Sequence, residues 1–360
     1  MKLEFLPFSL KLKHTWTISR GAVSGGGSDA ATVVLARLTD KSITGLGEAA
    51  TSQRYSQNAA SIQDFLRQVD AGKLSFEDVQ GSMDYLEKLA PGHTSAKCAI
   101  NIALMDGAAR LAGKPVYAAL GLGFEENRHR TSYSIGIDTP EMIRRKTAEA
   151  AHFPILKLKI GAPGEKENLA ALRSVDAKKT VRVDANEGWK TKEEALRQLE
   201  WLAADPHIEF VEQPMPASTP WKDLAWLKER SPLPLFADES CQTVRDVFDC
   251  AQGYHGVNVK LLKTSGVSGA FEALKAARQA GLKTMIGCMI ESSVLITAAA
   301  HLAQLADHLD IDGNLLISND PYTGATAERG TISFACAAEK TGLRVKTRNT
   351  DPFAAAAAAS

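Results

Sequence analysis

Two lysines alternate with apolar residues in the stretch ILKLKI, residues 155–160. On a strand, successive side chains point to opposite faces, so Leu156, Leu158 and Ile160 share one side and Lys157 and Lys159 the other. Further along, three short apolar runs end in acids: Asp184 closes VRVD, Glu212 closes EFVE and Asp238 closes LFAD. Another run, VNVKLLK, ends its strand in Lys260, with Asn258 on the same face. Three carboxylates brought together cannot all stay ionised without a counter-charge. A hard divalent cation supplies it, and an oxygen-only set without His or Cys favours magnesium or manganese over zinc. Lysines reaching a bound ligand from opposite sides are what a racemase or epimerase needs, one to remove a proton and one to deliver it. Free lysine, with a pKa of roughly 10.4, is a poor base that nearby cations improve; a metal and Lys157 would serve Lys159 in this way.

Each residue also has a plainer reading. A lone strand-end acid is often a helix N-cap or a surface group, a reading that weakens for three in register. Lys263 suits the surface reading better than Lys260, and Asn186 and Glu239 suit capping or supporting roles. HLDID places Asp310 and Asp312 on one face, which would fit a ligand ammonium group, yet DIDGN is equally good turn chemistry. GCMIESS ends in Glu291, either a site residue or the neighbour of a helix cap at Ser292 or Ser293.

Parallel neighbouring strands are needed to bring these residues together. Candidate strands cover 131–137, 155–160, 180–184, 208–212, 233–238, 256–260, 283–288 and 308–312, and their ends recur every 22 to 28 residues. Amphipathic segments such as 191–204 and 268–281 fit between them as crossover helices. Eight βα units at this period imply a closed parallel barrel whose strand C-termini carry the active site. The leucine face of ILKLKI then meets the helices, and the lysines point inward. An open doubly wound sheet would have fewer strands and a glycine-rich phosphate loop, which is not found.

Before the barrel, strand patterns fill the first 50 residues and helical patterns follow at 58–70, 76–88 and 94–112. The expected architecture is a modified TIM barrel with an N-terminal α+β capping domain: cap 1–120, barrel 121–325, a segment 326–346 returning to the cap, and a disordered, alanine-rich tail 347–360. Forty-two basic residues balance 42 acidic ones without a like-charged block, so no nucleic-acid or membrane partner is expected, and a small molecule is. The N-terminus lacks a signal-peptide run and no stretch reaches membrane-spanning length, which predicts a cytoplasmic protein. Five cysteines without CxxC spacing predict reduced thiols. A homo-oligomer is compatible with all of this.

In order and spacing, LKLKIG, RVDANEGW, VEQP, ADES, NVKLLKTSG, GCMIESS and DIDG resemble the enolase superfamily, muconate-lactonizing enzyme subgroup, and within it the dipeptide epimerases typified by L-Ala-D/L-Glu epimerases. The resemblance covers nearly the whole chain. It implies Mg2+ (Mn2+ as a substitute) held by Asp184, Glu212 and Asp238, an acid/base pair of Lys159 and Lys260 assisted by Lys157, and a substrate α-ammonium group held by Asp310 and Asp312. The implied reaction inverts the α-carbon of a dipeptide's C-terminal residue by 1,1-proton transfer through an enolate. Specificity would come from cap segments 17–27 and 48–56, where Arg20 either pairs with an acidic substrate side chain or is simply solvated. KTSG stands at 263–266 where family members often read KTGG. Related reactions of the fold, namely o-succinylbenzoate synthase, N-acylamino acid racemase and muconate cycloisomerase, use substrates without a free α-ammonium group, so DID separates them. A Schiff-base lyase would have no use for the three carboxylates.

Overall fold

The computed structural model describes residues 1–19, 21 and 26–359. The chain begins with an antiparallel sheet in the order β1 (Lys2–Trp16), β2 (Ser28–Asp40), β3 (Ile43–Ala50). Three helices cover it: α1 (Ala59–Gln68), capped by Asn58, α2 (Val79–Leu89), capped by Asp78, and α3 (Thr94–Leu111). Ile62, Phe65 and Leu66 of α1 pack with Val34, Ala36 and Leu38 of β2 in a core separate from the barrel's. Helix α3 presses so closely on β3 that a Cβ at Gly47 would lie 1.9 Å from the Ala99 carbonyl oxygen. The sequence predicts one apolar face for α3, but the structure buries nearly all of it, because the cap sheet lies on one side and the barrel on the other. Toward the barrel, Asn101 exchanges hydrogen bonds with Ser268, at 3.1 Å from its N–H and 2.9 Å to its Oγ.

After a single turn, α4 (Val116–Ala119), eight parallel strands follow in chain order: β4 (Tyr133–Ile135), β5 (Ile155–Lys159), β6 (Thr180–Asp184), β7 (Ile208–Glu212), β8 (Leu235–Ala237), β9 (Gly256–Lys260), β10 (Lys283–Gly287) and β11 (His308–Asp310). A parallel bridge between Thr131 and Leu309 joins the two ends of the sheet. Seven helices fill the crossovers: α5 (Pro140–Glu149), α6 (Glu165–Val175), α7 (Lys192–Ala203), α8 (Trp221–Arg230), α9 (Val244–Gly253), α10 (Val267–Gln279) and α11 (Ser293–Ala300). Thr139, Thr191 and Thr243 each accept the N–H of the third helical residue, a cap contributing about 1 kcal/mol. Register aligns the strand ends, pairing Lys159 with Asp184, Asp184 with Glu212, Lys260 with Gly287 and Gly287 with Asp310.

Two expectations change. Among the described residues no α-helix lies between β11 and Asp351: the DIDGN turn becomes a 3-10 turn, Gly313–Leu315, and the chain beyond it meets cap strand β1, where Lys13 N–H donates to Leu316 O at 2.9 Å. The tail 347–360, expected to be disordered, carries structure instead: Thr347 pairs with Tyr322 in a short antiparallel ladder, and Pro352–Ala359 form helix α12. Its first turn is anchored, since Arg37 pairs with Asp351 at 2.9 Å and lies 4.4 Å above the ring of the buried Phe353. Nearer the C-terminus, Leu343 N–H donates to Asp106 Oδ1 of α3 at 2.8 Å. Among the described residues no helix is long and apolar enough to cross a membrane.

Candidate active site

Alternation on β5 works as the sequence predicts: Leu156 and Leu158 are buried in the core, and Lys157 and Lys159 turn into the barrel. Nζ of Lys159 donates to Asp184 Oδ2 at 2.6 Å. Lys157 sits deeper, 2.6 Å from Glu212 Oε2, 2.6 Å from Asp310 Oδ2 and 3.1 Å from Asp184 Oδ2. Across the barrel, Lys260 of β9 lies 2.8 Å from Oδ2 of Asp238, one residue past β8. The carboxylate oxygens of Asp184, Glu212 and Asp238 lie within 4.8 Å of one another. All three acids are buried.

Their neighbours fix them. Asn186 N–H donates to Asp184 Oδ1 at 2.9 Å, and Asn258 Nδ2 to Glu212 Oε1 at 2.8 Å. Gln213, from VEQP, accepts the N–H of Asp238 at 2.9 Å and of Ser240 at 3.1 Å, locking the ADES turn. Lys263 corrects the sequence reading. Rather than facing solvent, it is buried and donates to Asp238 Oδ1, Asp238 O and Asn258 O at 2.7–2.9 Å, because the chain turns back over the barrel mouth directly after Lys260.

The charges sort the protons. Burial pushes the Glu212 carboxyl up to about 8, and the neighbouring Asp184 charge adds to the effect. Burial opposes charge on Asp184 as well, but Lys159 and Lys157 hold it below the usual carboxylate range; Lys260 and Lys263 do the same, more strongly, for Asp238. In return, and against their own burial, Lys157 and Lys260 are held charged well above the ordinary lysine range. The charge of Lys157 therefore serves three carboxylates, where the sequence reading has it serve Lys159.

Asp310 and Asp312 do face inward together. Asp310 accepts Ser132 Oγ at 2.7 Å as well as Lys157, and Asp312 accepts Ser134 N–H at 2.6 Å. Burial opposes charge on Asp310, yet Lys157 and Lys159 bring it to about 2; burial and then the Asp310 charge push Asp312 up to about 7. Serines at period two, Ser132 just before β4 and Ser134 on it, are a legible signal in TSYSI that the sequence reading does not use. Glu291 goes elsewhere: it is buried, accepts Met289 N–H at 2.9 Å and is absent from the cavity wall, while Ser292 caps α11. Arg20 lies outside the described residues.

A cavity of about 880 Å3 opens above this floor, with Lys159, Lys260, Asp238, Asp310 and Asp312 below and cap residues such as Tyr55 above. An all-oxygen trio of buried acids fits a hard divalent cation such as Mg2+.

A cap domain over a (β/α) barrel, with acids closing successive strands, defines the enolase type of fold. The Enolase C-terminal domain-like family matches residues 141–333, and the Mandelate racemase / muconate lactonizing enzyme, N-terminal domain family matches residues 11–121. The chain belongs to the mandelate racemase/muconate lactonizing enzyme family of the enolase superfamily. It is 60% identical to an L-Ala-D/L-amino acid epimerase of Pedosphaera parvula, over 97% of this chain and 100% of that one. The L-Ala-D/L-Glu epimerase of Bacillus subtilis, solved as a substrate-liganded complex, superposes with a TM-score of 0.88 at 28% identity, covering 96% of this chain and 98% of that one. The dipeptide epimerase of Cytophaga hutchinsonii, complexed with Mg and D-Ala-L-Val, gives 0.87 at 28% identity, covering 98% and 97%.

Proposed function

We propose that this protein is a Mg2+-dependent dipeptide epimerase that inverts the α-carbon of a dipeptide's C-terminal residue by two-lysine 1,1-proton transfer. The observation that carries this reading is the placement of Lys159 and Lys260 on β5 and β9, each against its own carboxylate of the trio and both lining one cavity with Asp310 and Asp312.

Asp184, Glu212 and Asp238 would hold the metal. When bound, it supplies positive charge for the substrate's terminal carboxylate and so makes the neighbouring α-proton more acidic. Asp310 and Asp312 hold the α-ammonium group at the other end of the dipeptide, which fixes the C-terminal α-carbon between the two lysines. One lysine takes the proton from one face, leaving an enolate, and the other returns a proton to the opposite face. Lys260, 2.8 Å from Asp238, lines the cavity on the side opposite Lys159. The cap closes the cavity over the site and limits the water that reaches the enolate.

The relative at 60% identity is named an L-Ala-D/L-amino acid epimerase, so alanyl dipeptides are the first substrates to try. A library of L-Ala-L-Xaa dipeptides with Mg2+, read by chiral chromatography, tests the proposal. Conversion of several members to the L-Ala-D-Xaa form supports it; no conversion of any member overturns it.

A further inference from the structure

The cap reaches the barrel mouth through a turn that is closed on itself. Ser52 N–H donates to Gln57 O at 2.7 Å and Gln57 N–H returns to Ser52 O at 2.9 Å, so residues 52–57 form a closed loop. From this turn Arg54 extends to Glu187 and makes two parallel hydrogen bonds, Nε to Oε2 and Nη2 to Oε1, each 2.9 Å. Bidentate pairs of this kind fix orientation as well as distance. The Arg54 guanidinium also lies 6.0 Å from the centre of the Tyr55 ring, and Tyr55 lines the same cavity as Lys260 and Asp238.

Glu187 is itself held firmly. Asn186 and Glu187 both lie in the left-handed region, at φ 43° and 66°, a conformation that disfavours side chains by about 1–2 kcal/mol per residue. Surrounding bonds maintain it: Asn186 N–H to the carboxylate of Asp184, Glu187 N–H to Gln213 O at 2.9 Å, and Ala217 N–H to Glu187 Oε1 at 2.8 Å. Beneath, Gly188 fits against Gly161, two residues past Lys159, so tightly that a Cβ would lie 2.4 Å from the Gly161 Cα. The other cap loop rests on the same turn, with Ser19 Oγ donating to Asn186 O at 2.9 Å.

We propose that Arg54 and Glu187 are positioning residues whose ion pair seats the closed 52–57 turn on the barrel and so sets where Tyr55 stands over the Lys260 side of the substrate cavity. The inference rests on the dipeptide reading for its effect on turnover, but the clamp itself does not. The turn that orients metal ligand Asp184 thus also receives the cap, tying the room available to the substrate side chain to the barrel site.

Three measurements test it: exchange and turnover on the Mg2+-loaded protein, and the rise in Tm that Mg2+ induces. Backbone hydrogen exchange of the 50–58 segment is expected to accelerate at least 10-fold in Arg54→Ala and in Glu187→Gln, and to recover in part in Arg54→Lys. For an alanyl dipeptide, each of the two disrupting variants is expected to lower kcat/KM about 10-fold, mainly through KM and most for large C-terminal side chains. The double variant should be no slower than the slower single, and the Mg2+-induced rise in Tm should match wild type. Unchanged exchange in Arg54→Ala, or losses that multiply in the double variant, overturns the proposal. If the wild type turns over no dipeptide, the epimerase reading fails and the exchange measurement alone decides the clamp.

Discussion

Lys260 and Lys263 divide one carboxylate between them: Nζ of Lys260 lies 2.8 Å from Asp238 Oδ2, and Nζ of Lys263 lies 2.8 Å from Oδ1. Their surroundings differ. Lys263 has two carbonyl acceptors besides and leaves the cavity wall to Lys260. One carboxylate thereby orients a lysine toward the cavity while the other lysine holds the carboxylate.

Removing Lys263 leaves a buried carboxylate short of a partner. Lys263→Met is expected to cost about 3–5 kcal/mol of stability without divalent cation. Saturating Mg2+ should recover part of that loss by restoring positive charge at Asp238. Urea unfolding with and without Mg2+ measures both numbers; an equal deficit in the two conditions contradicts the assignment of Asp238 to the metal.

Asp312 is the cleaner test of ammonium recognition, because Asp310 also anchors Lys157. Asp312→Asn is expected to lower kcat/KM for alanyl dipeptides about 100-fold, the scale of a charge-assisted hydrogen bond of roughly 1.5–3 kcal/mol. Asp310→Asn should lose more. Wild-type kcat/KM in Asp312→Asn would favour one of the reactions of the fold whose substrates lack a free α-ammonium group.

A buried acid links cap and barrel away from the chemistry. Glu48 of β3 accepts Ser292 N–H at 2.8 Å, bonds the Ser292 hydroxyl and reaches Leu295 N–H at 3.4 Å, all at the start of α11. Burial pushes its carboxyl from 4.5 up to about 7. The folded state thus binds this proton more tightly than the unfolded state. Its contribution is complete below about 4.5 and is lost as pH rises through about 7, on the order of 3 kcal/mol in all. Stability curves of wild type and Glu48→Gln should diverge across that window, with the variant flatter. Parallel curves would show that Glu48 stays ionised in the fold.

The positions of the candidate site residues are legible because a parallel barrel turns strand-end position into proximity. Lys159, Asp184, Glu212 and Lys260 each end the strand that the apolar pattern marks, and Asp238 lies one residue past its own. Period-two alternation placed Lys157 and Lys159 on the inside without any homologue. What escaped depends on the return path of the chain. Lys263 sits in a turn whose fold over the barrel mouth has no local pattern, and Glu48 meets Ser292 across 244 residues. The Arg54–Glu187 pair joins two loops that polarity alone reads as solvated. The missing eighth helix was written in DIDGN, whose turn chemistry ends the barrel where the repeat would have continued it.

Proton transfer between Lys159 and Lys260 across one α-carbon is read directly by solvent deuterium. With Mg2+ in heavy water, single turnover of an accepted L-Ala-L-Xaa dipeptide should give L-Ala-D-Xaa carrying one deuterium at the C-terminal α-carbon. Lys159→Ala and Lys260→Ala should both abolish inversion, each still exchanging the α-proton of one stereoisomer only. Inverted product that keeps its original proton, or inversion that survives the loss of either lysine, would rule out two-lysine transfer.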